Sequence, residues 1–180
     1  MQPDIETALM LRVARGDADA MALLFRHAYG DVRTLCARMT LDDDAADDLA
    51  QETFLRVLRY AHGFRGEARF STWVFRIARN VCNRHLNAAS RSRNPAPMNV
   101  DPAAGESPRD VERIELLRHA LTQLPQDDRE VVVLSRLRDL SYRELAGVLE
   151  CTESTARVRV HRALRRLRDI MLRLEQPDAV

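Results

Sequence analysis

The stretch Thr155-Ala-Arg-Val-Arg-Val-His-Arg-Ala-Leu-Arg-Arg-Leu-Arg-Asp-Ile-Met-Leu-Arg-Leu174 sorts its residues onto two faces at helical period. Ala156, Val160, Ala163, Leu164, Leu167, Ile170, Met171 and Leu174 recur at steps of three and four, while Arg157, His161, Arg165 and Arg168 fall on the opposite side. A polar face this rich in guanidinium groups suits phosphate. Just upstream, Ser141-Tyr-Arg-Glu-Leu-Ala-Gly-Val-Leu149 reads as a short amphipathic helix led by a capping serine, and Glu150-Cys151-Thr152 is a brief connection. Short helix, tight turn and basic helix form the helix-turn-helix pattern of DNA-binding proteins.

Around this unit the chain reads as helical throughout. With 180 residues, 5% aromatics and six glycines, the composition favours an all-α fold of two small domains. The net charge of +1 conceals strong segregation: Asp42 to Glu52 carries acids and no base, and Arg157 to Arg168 carries bases and no acid. No lysine occurs anywhere, a bias better explained by genomic base composition than by function. Cys36, Cys82 and Cys151 are far apart and form no CxxC pair, so neither a zinc site nor a disulfide framework is indicated. No apolar run approaches a membrane span, and Met1-Gln-Pro-Asp lacks the features of a signal peptide, which together place the protein in the cytoplasm.

The segment Ser90 to Pro108 gathers proline, glycine, asparagine and serine without hydrophobic period, and reads as a flexible linker. The expected domains are therefore 1–89 and 109–180, joined by 90–108. The first holds helices through Leu9 to Arg15, Ala18 to Met39, Asp44 to Tyr60 and Ser71 to Leu86, with a glycine-bearing loop over Ala61 to Phe70. The second opens with Asp110 to Leu121, breaks at Leu124-Pro125, and continues through Asp127 to Arg138 before the helix-turn-helix.

Three groups of residues stand out from these patterns. On the helix from Asp44 to Tyr60, Ala45, Ala46, Leu49, Thr53, Phe54, Val57 and Leu58 form a buried stripe, but Leu55 projects from the polar face among Asp48, Gln51, Glu52 and Arg59. An apolar anchor inside an acidic rim suits a basic protein partner, although singly exposed leucines are common. The run Asp42-Asp43-Asp44 with Asp47 and Asp48 lacks the spacing and central glycine of a calcium loop, and acids at a helix start also favour the helix dipole. On the helix from Ser71 to Leu86, Arg76, Arg79, Asn80 and Asn83 share an outer face without carboxylates, with Arg84 at its edge. Phosphates and base edges are natural partners for that face, and Phe64, Arg65, Arg69 and Phe70 of the preceding loop could add stacking on unpaired bases or belong to the core.

In combination these blocks resemble the sigma-70 family of bacterial RNA polymerase specificity subunits, in the short extracytoplasmic-function group that has only the second and fourth conserved regions. Asp47-Asp48-Leu49-Ala-Gln51-Glu52-Thr-Phe54-Leu55-Arg56 is similar to the polymerase-binding part of region two. Phe70-Ser-Thr-Trp73-Val-Phe-Arg76-Ile-Ala78-Arg79-Asn80 resembles its strand-opening and −10 recognition part. Leu124-Pro125, Arg129-Glu130-Val131, Leu140-Ser141-Tyr142-Arg-Glu144-Leu145-Ala146 and Thr155 to Ala163 resemble region four, which reads the −35 element. Glu150 stands where the family often has glycine, and Asn83 where aspartate is frequent.

The resemblance implies a dissociable initiation factor without catalytic role, cofactor or metal, whose partners are core RNA polymerase, promoter DNA and an anti-sigma factor. It assigns core polymerase binding to Asp48, Gln51, Glu52 and Leu55. It assigns the single-stranded −10 element to Phe64, Arg65, Arg76, Arg79, Asn80, Asn83 and Arg84, and the duplex −35 element to Ser154, Thr155, Arg157, Val158, His161, Arg162 and Arg165. One rival is a helix-turn-helix regulator with a non-sigma sensory domain, which would normally bring alternating strands that the first domain lacks. Another is a nucleic-acid enzyme using Asp42 to Asp48 as metal ligands.

Overall fold

A computed structural model describes residues 4–91, 108–137 and 140–175, and every regular element in them is helical. The first group comprises α1 (Ile5–Val13), α2 (Ala18–Thr40), α3 (Asp43–Tyr60) and α4 (Phe70–Arg91), with a single 3-10 turn over Ala61–Gly63 between the last two. The second comprises α5 (Pro108–Gln123), α6 (Gln126–Ser135), α7 (Tyr142–Leu149) and α8 (Glu153–Glu175). Most of the linker expected over 90–108 lies outside the described residues; at its edges α4 runs on through Arg91 and α5 begins at Pro108.

Side chains placed just before each helix fix most of the starts. Asp4, Asp17 and Asp42 accept hydrogen bonds from the backbone amides of Thr7, Ala20 and Ala45. The Asp4 cap makes α1 begin a turn earlier than the apolar spacing predicts, and the Thr7 hydroxyl in that first turn accepts the Phe70 amide at 2.9 Å, tying α1 to the start of α4. Ser141 and Glu144 form a reciprocal capping box on α7, the Ser141 amide reaching Glu144 Oε2 at 2.9 Å. Pro125 interrupts the chain between α5 and α6, where its missing N–H costs no helical bond.

The first group packs α2 against α1, α3 and α4 around Met10, Leu24, Val32, Leu35, Phe54, Val57, Val74 and Phe75. In the second, Leu145 and Val148 of α7 meet the apolar stripe of α8, where Ala156, Val160, Ala163, Leu167 and Ile170 are buried as the spacing predicts. The two groups are themselves in contact, α7 lying on α4 and α6 on α2. The sequence of α6 requires a second partner: Val131, Val132, Val133 and Leu134 are consecutive and all buried, and a helix apolar on every side cannot be covered from one side alone. Packing against α8 buries one flank, and the first domain covers the other.

Candidate nucleic-acid and protein interfaces

The face around Leu55 is exposed. Asp48 and Gln51 flank it in solvent, and Leu55 itself is 66% exposed. Leu58, expected in the buried stripe, is exposed as well, because the last turn of α3, Leu58 to Tyr60, extends clear of its neighbours. Leu55 and Leu58 are three residues apart and so form one apolar step on the helix surface. Glu52 is less free than its position implies: its Oε1 accepts from Arg56 at 3.0 Å and from Arg84 at 2.9 Å. Arg84, expected at the edge of the α4 face, therefore points to α3.

The acidic run before this face has a structural use. Asp42 caps α3, while Asp43 and Asp47 receive the Arg33 guanidinium at 3.2 and 3.1 Å. The Tyr29 hydroxyl donates to Asp47 at 2.5 Å. That hydrogen bond, with burial added, pushes the Tyr29 hydroxyl up to about 12. The same bond and Arg33 outweigh burial to hold the Asp47 carboxyl below the usual range.

On α4 the expected outer face divides. Arg76 and Asn80 are exposed, as is Arg65 in the loop before the helix. Arg79 and Asn83 instead meet the second domain. Arg79 Nε donates to Glu130 of α6, and Asn83 donates to the same carboxylate at 3.2 Å while accepting from Gln126. Glu150 lies 3.9 Å from both Arg76 and Arg79, and Glu144 lies 3.3 Å from Arg69. In these four ion pairs the arginine belongs to the first domain and the carboxylate to the second. The contacts of Glu130 and Glu150 with the first domain escaped the reading of sequence; the uninterrupted apolar run after Glu130 was the signal that α6 has a second neighbour.

Phe64 is corrected. It is only 7% exposed, packed edge-on against Trp73 with ring centres 5.2 Å apart and against Phe70 at 6.5 Å. The 3-10 turn over Ala61 to Gly63, packed against α3 and α1, leads directly into it, and with the ring buried against Trp73 and Phe70 no base can stack on it in this arrangement.

On α8, Ser154, Thr155, Arg157, Val158, His161, Arg162 and Arg165 are all exposed along one side. The Thr152 hydroxyl accepts the Thr155 amide at 3.2 Å and so caps this helix start. Arg157 lies over the Tyr142 ring at 4.4 Å and donates to Glu153 at 3.0 Å, which holds its guanidinium at the first turn. Arg162 and Arg166 both reach the buried Asp128, and an open groove lined by Arg162, Arg165, Arg166 and Arg173, with Asp169 among them, continues the face. α7 and α8, joined by three residues, thus present a basic helix edge with the exposed aliphatic side chain of Val158 among its arginines.

Residues 24–92 match the family model for Sigma-70 region 2, and residues 114–167 that for Sigma-70, region 4. The RNA polymerase sigma-H factor of Pseudomonas aeruginosa is 34% identical over 171 residues, covering 86% of this chain and 88% of that protein. The ECF RNA polymerase sigma-E factor of Escherichia coli is 32% identical over 174 residues, covering 88% and 90%. Among solved structures, CnrH in complex with the cytosolic domain of CnrY aligns with a TM-score of 0.73 at 24% identity, over 98% of this chain and 100% of that one. The sigma factor RpoE of Bartonella quintana, in complex with the anti-sigma factor NepR, aligns with a TM-score of 0.70 at 21% identity, over 82% and 93%.

Proposed function

We propose, from the membership of this chain in the extracytoplasmic-function group of the sigma-70 family of RNA polymerase sigma factors, that its three polar faces divide the work of promoter recognition. The chain is an initiation factor, and phosphoryl chemistry stays with the polymerase. Region 2 takes up the first domain from residue 24, where the rival reading requires a sensory domain. Core RNA polymerase docks on α3 through Leu55, Asp48, Gln51 and Glu52. The α4 face with Arg65, Arg76, Arg79, Asn80, Asn83 and Arg84 takes the single-stranded −10 element, and domains 1–89 and 109–180 act as separate modules joined through 90–108. The α8 edge enters the major groove at −35. An anti-sigma factor restrains the chain, in keeping with the NepR complex of the Bartonella protein. The site of action is the cytoplasm, where the polymerase works, and no described helix is long and apolar enough to cross a membrane.

The observation that carries this reading is the separation of chemistry between faces: arginine and amide groups without a carboxylate on α4, an arginine edge on α8, and an exposed leucine beside acids on α3. Binding energy directed at unpaired −10 DNA favours the open promoter over the duplex. Co-elution of the pure chain with core polymerase, followed by transcription from a promoter that core enzyme alone ignores, tests it. A chain that neither co-elutes nor starts transcription overturns the reading.

At −35, Arg157→Ala should cost about 1 to 3 kcal/mol at the one base pair it reads, while Val158→Ser should relax a preference for thymine at a neighbouring position. Val158 is 65% exposed, so its substitution leaves the fold alone. Selection of a randomised −35 library by polymerase carrying each variant reads both effects. Unchanged base preferences would move sequence reading off this edge.

A further inference from the structure

Arg157 is held from both helices of the helix-turn-helix. Tyr142 is the first residue of α7, and its ring lies beneath the Arg157 guanidinium, whose carbon stands 4.4 Å from the ring centre. Glu153 is the first residue of α8, one turn before Arg157, and its Oε1 accepts from Nη2 at 3.0 Å. Each holder is placed by a cap: the Ser141 and Glu144 capping box sets the start of α7, and the Thr152 hydroxyl, accepting the Thr155 amide at 3.2 Å, sets that of α8. Tyr142 is also half-buried against the core of the protein, so the ring is itself held in place.

Each contact is weak by itself. The Arg157 and Glu153 side chains are 53% and 50% exposed, and an ion pair that open to water is screened and mobile. A stacked ring alone leaves the guanidinium free to turn in its own plane, and a carboxylate alone leaves the long stem free to swing. Acting together they restrict the side chain without using up its recognition edge: the ring takes a face, the carboxylate takes one N–H, and the remaining donors lie in the plane from which an arginine meets guanine O6 and N7. The carboxylate has a second effect. It stands on the edge proposed to face DNA, where it repels phosphates, and so it weakens contact with DNA of any sequence.

We infer that Tyr142 and Glu153 are positioning residues for −35 reading, which hold Arg157 in the geometry that meets a guanine edge, and that Glu153 in addition lowers the affinity for DNA of the wrong sequence. The inference rests on the reading of the α8 edge as the part that enters the major groove at −35. Tyr142 acts only through Arg157, whereas Glu153 acts through Arg157 and through its own charge. Discrimination at one base pair then depends on the first residue of α7, which lies outside the basic edge, and specificity gains from a carboxylate that costs affinity.

The test loads core polymerase with the full-length chain carrying Tyr142→Phe, Tyr142→Leu, Glu153→Gln or Arg157→Ala, and selects from duplex DNA randomised at −35. Titration with random-sequence duplex gives the affinity that does not depend on sequence, and melting checks each fold. Tyr142→Phe keeps the ring and should keep the parental preference. Tyr142→Leu should lower discrimination at the base pair that Arg157 reads by about two- to fivefold, the effect of losing a cation–π contact at an exposed site, with random-sequence affinity unchanged. Glu153→Gln should lower the same discrimination while tightening random-sequence binding. In an Arg157→Ala background, Tyr142→Leu should add nothing at that base pair.

A Tyr142→Phe chain that behaves like Tyr142→Leu would give the effect to the hydroxyl and overturn positioning by the ring. Parental preference in both Tyr142→Leu and Glu153→Gln overturns the inference, and a loss in Arg157→Ala alone leaves the −35 edge standing. If Arg157→Ala is itself silent, the reading of that edge falls and the positioning falls with it. Should Tyr142→Leu melt early, Glu153→Gln decides: a loosened domain weakens specific and random binding together, whereas the inferred role moves them in opposite directions.

Discussion

A Leu55→Ala chain should melt at the temperature of the parent and bind core RNA polymerase at least tenfold more weakly. The side chain is 66% exposed, so removing it takes almost no buried surface from the fold. An apolar side chain that becomes the desolvated centre of an interface, ringed by polar Asp48 and Gln51, is the kind of residue whose truncation costs about 2 kcal/mol or more. Leu58 extends the same apolar step, and Leu55→Ala with Leu58→Ala should lose more than either alone. Titration of labelled core enzyme with each chain measures the loss. Parental affinity in the double variant would move the polymerase face elsewhere. Glu52→Arg is a less clean probe, since it would set a third guanidinium beside Arg56 and Arg84.

Phe64→Ala should lower the unfolding free energy by about 3 to 5 kcal/mol, the cost of emptying an aromatic site in a packed core. Its ring, 7% exposed, packs against both Trp73 and Phe70. With native stabilities of about 5 to 15 kcal/mol, that is a large share of the whole. The alternative, a ring that stacks on an unpaired base, predicts the reverse: normal melting with weakened binding of single-stranded DNA. Chemical denaturation and DNA titration of the same variant separate the two, and parental stability would return Phe64 to the DNA face.

Helical periodicity made most of the fold legible. Segments with a long apolar stripe, such as α8, come out with nearly the right span and the right buried residues because the whole stripe is covered by its own domain, α5, α6 and α7 packing along it. Ends were less readable. α1 starts early because a side-chain cap at Asp4 overrides the apolar spacing, and Leu58 is bare because a stripe says nothing about where its neighbour stops. On α4 the pattern identified which residues point outward but could not say onto what. Arg79 and Asn83 do point outward from their own domain, and they end half-buried against another. Phe64 was ambiguous for a related reason: an aromatic ring in a glycine-bearing loop is equally suited to a core and to a base, and only the turn over Ala61–Gly63 decides.

The bond network at the start of α3, the helix proposed to dock on polymerase, bears on how fast this factor finds its enzyme. Arg33 and Tyr29 of α2 grip Asp43 and Asp47, so the helix that carries Leu55 is fixed in orientation before any encounter. A surface that needs no rearrangement adds no conformational step to association, and the rate is left to diffusion and orientation, about 10⁵ to 10⁷ per molar per second for such pairs. When several factors compete for a limited pool of polymerase, rigidity of this kind shortens the search for every free enzyme. The outcome of that competition is then set by how long each complex lasts.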